Sequence, residues 1–172
     1  MCTYYEKNCR ILSKIELGNE MQKEYNSDGN ASRLKVRLFH GEDRALRGRC
    51  IMKYYIDSGN LGDIKRISSY FPLSGMTTNP EILSREKTNP YALYKKIHCE
   101  VPQIKQFHMQ VVSLSADEIV KEACYMREQL TNGENAIAKD AFFVKIPVDK
   151  NGVKAMMKLR ELGIAFTATG IF

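Results

Sequence analysis

The sequence predicts a parallel α/β barrel from Met52 onward. Three observations lead there. Short apolar runs alternate with segments of helical periodicity, the rhythm of βαβ units. Polar residues recur at or near the C-terminal ends of those runs: Asp57, Thr77, Thr78, Asn79, Gln110, Lys145 and Thr169. In a barrel such ends converge on one mouth, where active sites are built. No Gly-x-Gly-x-x-Gly follows the first run, so the open dinucleotide-binding sheet lacks support.

Residues 1–51 stand apart. They are polar and weakly periodic, and Asn26 to Ser32 is loop-like. Leu34 to Leu38 alternates like a strand but has no evident partner. Gly41 to Arg49 carries five charges and two glycines. This part is expected to be a poorly ordered extension rather than native coding sequence, with Met52 as the natural start. Its removal is expected to leave the stability of the remainder unchanged.

The regular pattern then begins. Lys53 to Asp57 reads as a strand, and Asn60 to Tyr70 as a helix with Leu61, Ile64 and Ile67 on one face. Leu73 to Thr77 is the second strand. Asn79-Pro80 opens a short helix, with proline at the first helical position. Tyr91 to Glu100 is a helix, and Phe107 to Val112 the third strand. Ser115 and Glu118 form a capping box for a helix running to about Leu130, stopped by Asn132-Gly133. Ala141 to Val148 is the fourth strand. Asn151 to Leu162 is a helix ended by Gly163, and Ile164 to Thr169 is the fifth strand.

Composition narrows the function. No run approaches the ~18 apolar residues of a membrane span. The N-terminus lacks the apolar stretch of a signal peptide. The net charge of +6 is spread among acids rather than gathered into a basic, aromatic-rich block, which argues against nucleic-acid binding. Cys2, Cys9, Cys50, Cys99 and Cys124 form no pair with metal-ligand spacing, and their odd number fits reduced thiols.

The chemistry centres on Lys145. It lies inside the apolar run Phe143-Val144-Lys145-Ile146, where a lysine is almost never buried without a reason. Burial disfavours an ammonium and prepares an amine to attack a carbonyl. Taken alone, the run also suits a lysine whose long stem carries its charge out to solvent. Asp57 is either a helix cap or a carboxylate facing Lys145. Asn79 is on local grounds an N-cap. Gln110 interrupts a buried strand, where it either satisfies a core contact or orients a water or hydroxyl. Thr169 is a weak signal by itself. His40, His98 and His108 are scattered and form no triad or metal set.

Together these pieces resemble the transaldolase family, and most closely its small branch containing fructose-6-phosphate aldolase. The resemblance rests on Ile56-Asp57, Phe71 to Pro80 with its Gly75-Met76-Thr77-Thr78-Asn79-Pro80, Met109-Gln110-Val111, Phe143 to Val148 and Leu162-Gly163-Ile164. It implies a (β/α)8 barrel, of which Met52 to Phe172 supplies the first four βα units and the fifth strand. It implies a cytoplasmic homo-oligomer when full length, acting on a sugar phosphate without a metal or other cofactor. Lys145 would be the Schiff-base lysine, Asp57 a proton-handling carboxylate, and Asn79 a ligand for the donor's hydroxyl groups. Thr77 and Thr78 would bind substrate beside it, and Thr169 would line the site near the catalytic water. Transaldolases proper carry a glutamate at the position of Gln110, so the glutamine leans towards the aldolase branch. The runners-up are a true transaldolase and an inactive, truncated sugar-phosphate-binding fragment. The sixth to eighth strands are expected to be missing, which would leave the first and fifth strands as open edges.

Overall fold

The computed structural model describes residues 9–11, 35–42 and 50–170, with side-chain surroundings described for 53–170. Seven strands form one sheet in the order β1-β7-β6-β5-β4-β3-β2. They are β1 (Cys9–Ile11), β2 (Lys35–Glu42), β3 (Cys50–Asp57), β4 (Leu73–Thr77), β5 (Gln106–Gln110), β6 (Phe142–Pro147) and β7 (Phe166–Thr169). Strands β3 to β7 are mutually parallel and follow chain order across the sheet. Helices connect them: α1 (Leu61–Ser68), α2 (Pro80–Arg85), α3 (Pro90–Glu100), α4 (Ala116–Thr131) and α5 (Lys150–Glu161). This is the expected alternation, and it forms part of a parallel (β/α) barrel.

Contacts across intervening strands show that the sheet curls. In a flat sheet, strands two apart are separated by about 9–10 Å. Yet the ring of Tyr55 on β3 lies 5.1 Å from that of His108 on β5, centroid to centroid. His108 Nδ1 is 2.8 Å from Thr167 Oγ1 on β7, and Lys145 Nζ on β6 donates to Thr77 Oγ1 on β4 at 3.3 Å. Each contact skips one strand.

Alternation along the strands separates two environments. One face carries Ile56, Met76, Phe107, Met109, Val144 and Ile146, which pack with Ile64, Ile97, Ala123 and Leu159 of the helices. Burying both sheet faces is what a parallel sheet requires. The inner face carries Tyr55, Asp57, Thr77, His108, Gln110, Lys145 and Thr167. Gly75 belongs to this face because nothing larger fits. A Cβ there would come within 2.5 Å of the Tyr55 ring and 2.6 Å of the Gln106 carbonyl oxygen. The vacant volume lets Tyr55 cross β4 and donate its phenolic hydrogen to Gln106 Oε1.

The N-terminal part departs from expectation in one respect. The alternating segment near Leu34 does find a partner. Strand β2 runs antiparallel to β3, pairing Lys35 with Asp57 through to Glu42 with Cys50. Strand β1 runs parallel to β7. The first and fifth barrel strands are therefore flanked rather than open. A strand edge offers a row of unmatched amides to any extended neighbour, so local sequence reading cannot say which distant segment takes it. The remainder of the expected 1–51 extension lies outside the described residues.

Candidate active site

The elements that carry the site end where their caps dictate. Asn60 caps α1 by accepting from the Asp63 N–H at 3.0 Å, and the Asn60 N–H donates to Ser58 Oγ at 3.1 Å. Asp57 is thus relieved of the capping role that its position allowed. It ends β3 almost fully buried, beside Thr77 in register. Asn79 does cap: its Oδ1 accepts from the Ile82 N–H at 2.8 Å and starts α2. Thr77 and Thr78, just before it, are fully buried. Asp149 starts α5 by accepting from the Gly152 N–H at 2.6 Å. Gly152 is forced by the closeness of that helix to β6, since a Cβ would lie 2.0 Å from the Pro147 carbonyl oxygen.

Lys145 occupies the inner face of β6 and is 1 % exposed. The stem does not carry the nitrogen out to solvent. Nζ instead donates to the Thr78 carbonyl oxygen at 3.2 Å and to Thr77 Oγ1 at 3.3 Å. Lys145 is in register with Gln110 of β5 on one side and with Thr167 of β7 on the other. Beneath this level the inner face is packed with rings. The His108 imidazole stacks on Phe143 with centroids 4.7 Å apart, and Tyr55 meets His108 edge-on. Above it, Gln110, Asn79 and Thr169 are partly exposed. Thr169 is next to Pro147 in register, and its carbonyl accepts from the Val148 N–H at 2.9 Å. The predicted residues therefore lie at the C-terminal ends of five neighbouring parallel strands and in the turn after β4. The buried amine thus lies between a packed aromatic layer and a partly exposed polar rim.

Two residues of this centre carry no signal as a set in the sequence. His108 is fully buried and shares the inner face with Gln110, two positions on. Strand alternation was the clue to it. Tyr94 on α3 is also fully buried, and its hydroxyl donates to the His108 carbonyl oxygen at 2.8 Å. Burial pushes the Tyr94 phenol up, and the charge of Asp57 adds to that.

Residues 54–172 match the family model described as transaldolase/fructose-6-phosphate aldolase. The chain belongs to this family. A probable fructose-6-phosphate aldolase of Streptococcus pneumoniae is 34 % identical over 122 residues, covering 70 % of this chain and 51 % of the relative. A probable transaldolase of Clostridium tetani is 31 % identical over 121 residues, with the same coverage of 70 % and 51 %. A probable transaldolase of Methanococcus maripaludis is 34 % identical over 121 residues, again covering 70 % and 51 %. The chain thus spans about half the length of the curated relatives it matches. The matched stretch includes the lysine strand and the Thr77-Thr78-Asn79-Pro80 turn. Among the described residues, no helix is long and apolar enough to cross a membrane.

Proposed function

We propose that the chain carries the Schiff-base half of an aldolase or transaldolase site acting on a ketose phosphate, with Lys145 as nucleophile. The observation that carries this reading is the Lys145 amine, buried on the inner face and held between the Thr78 carbonyl and the Thr77 hydroxyl. Taking an ammonium out of water favours its neutral, nucleophilic form. The amine adds to the ketone carbon, and loss of water gives an iminium. That iminium withdraws electrons as the adjacent carbon–carbon bond breaks, so an aldehyde leaves and an enamine remains. Protonation and hydrolysis release a dihydroxyacetone unit and free Lys145; attack on a second aldehyde instead transfers that unit. Covalent catalysis divides one hard step into several easier ones. In this scheme Asp57 moves the protons and Gln110 orients the water or a substrate hydroxyl. Thr77, Thr78, Asn79 and Thr169 line the bound sugar. Asn79 spends its Oδ1 on the α2 cap, so its NH2 group is the part that meets substrate hydroxyls.

Borohydride reduction in the presence of fructose 6-phosphate tests the reading. The expected result is a substrate-dependent adduct on the peptide containing Lys145, absent from Lys145→Met. Lys145→Arg should also fail, because a guanidinium keeps its proton in proteins and forms no Schiff base. An adduct that persists in Lys145→Met moves the nucleophile elsewhere. The uncharged Gln110 favours the aldolase over the transaldolase: cleavage should need no acceptor aldehyde. A strict requirement for an acceptor such as erythrose 4-phosphate would reverse that choice. Absence of any adduct would favour a sugar-phosphate-binding fragment.

A further inference from the structure

We propose that Tyr94 is a positioning residue for the Lys145 amine, acting through the peptide of Thr78; this rests on Lys145 being the nucleophile. Tyr94 comes from α3, on the helix side of the sheet, and its ring packs near Phe107 in the outer core. Only its hydroxyl reaches towards the site. That hydroxyl has one hydrogen, which goes to the His108 carbonyl oxygen at 2.8 Å. The 2.7 Å contact with Thr78 Oγ1 therefore has Thr78 as the donor. The Thr78 N–H donates to the same His108 carbonyl at 3.1 Å. The amide and the side chain of Thr78 are thus both tied to one point on β5. On its other side, Asn79 is fixed by the cap of α2.

What remains of Thr78 is its carbonyl, and that carbonyl accepts from Lys145 Nζ at 3.2 Å. A neutral amine has two hydrogens and one lone pair. The Thr78 carbonyl and the Thr77 hydroxyl both accept from Nζ, so both help to set the direction of that lone pair. Without the Tyr94 hydroxyl, the Thr78 side chain loses its acceptor and its carbonyl gains freedom to turn away from Nζ. Burial keeps the Tyr94 phenol protonated, so this support does not switch off across the working pH range. Among the described residues, the titratable groups that share the inner face with Lys145 include Tyr55 and Asp57 of β3 and His108 of β5. Among the described residues, β4 and β7 add the uncharged threonines Thr77, Thr167 and Thr169 to this face.

The test is the titration of Lys145 in the full chain, followed by NMR on carbon-13 lysine, with its signal identified by loss in Lys145→Met. The Thr78 carbonyl is a hydrogen-bond acceptor that favours the ammonium. Losing it should lower the midpoint by about one pH unit, the scale of one hydrogen bond to a charged group. This is expected in Tyr94→Phe and in Thr78→Val, but not in Thr78→Ser, which keeps the hydroxyl. The exposed Lys154 serves as an internal reference whose midpoint should stay put. An unchanged Lys145 midpoint in Tyr94→Phe overturns the proposal. If Tyr94→Phe loses the dispersed spectrum of a folded chain, Thr78→Val decides. If both lose it, the two hydroxyls serve the fold and the proposal is wrong. Ketose-dependent trapping is scored separately, so failure of the nucleophile reading is seen independently of this titration.

Discussion

A tyrosine buried as completely as Tyr94 makes the protein sensitive to alkali in a defined direction. Its folded pKa is raised from an ordinary value of 10.0 by burial. The neutral phenol therefore contributes stability that is fully present below pH about 10 and is lost as pH rises towards the folded value. Chemical denaturation at successive pH values should show a smaller alkaline loss in Tyr94→Phe than in the parent chain. Equal losses would mean that the phenol is not held in the buried site. At this same scale, legibility differed sharply between residues. Lys145 was legible because a charge inside an apolar run conflicts with its surroundings. His108 looked like one of three scattered histidines, although alternation puts it on the face of Gln110. Tyr94 left no trace: its importance arises from a contact with a backbone carbonyl, and any sequence could supply that carbonyl.

The elements themselves were legible because each is marked chemically at its ends. The expected strand Leu73 to Thr77 agrees with β4, and most other boundaries moved by one or two residues. The capping box was half right. Ser115 Oγ accepts from the Glu118 N–H at 3.4 Å, but the Glu118 carboxylate takes the Ser115 hydroxyl hydrogen at 2.6 Å. The start of α5 offers a comparison of two kinds of constraint. Asp149→Ala removes one cap and should cost about 1 kcal/mol. Gly152→Ala drives a methyl into the Pro147 carbonyl, so it should cost clearly more and displace the end of β6. Thermal melting of the two variants checks the order; a reversed order would mean that α5 moves away from the sheet easily. Periodicity found α5, but the pressure of its first turn on the lysine strand is a tertiary fact.

For the whole molecule, the partnership of distant segments was the least legible feature. Alternation suggested a strand near Leu34, and nothing local tied it to β3. Its antiparallel pairing along all of β3 changes the expected outcome of removing the N-terminal part. Deleting residues 1–49 would uncover the amide row of the strand that ends in Asp57. Unpaired edges recruit other chains. The shortened protein should melt lower and associate with rising concentration, as read by light scattering. An unchanged melting temperature and a concentration-independent mass would restore the view that this part is dispensable.

The burial of Lys145 also hides a protease site. Trypsin cuts after lysine, yet the Lys145–Ile146 bond lies inside a paired strand with both side chains at most 1 % exposed. A protease reaches such a bond only in molecules that have opened, so the cleavage rate follows the open population when reclosing is fast. Lys154, on the exposed face of α5, is a natural competitor for early cutting. The delay between the two cuts measures how rarely the barrel strands separate. A reduced sugar adduct on Lys145 would abolish the later cut altogether, which makes a missing peptide boundary an independent record of the bond that the amine formed.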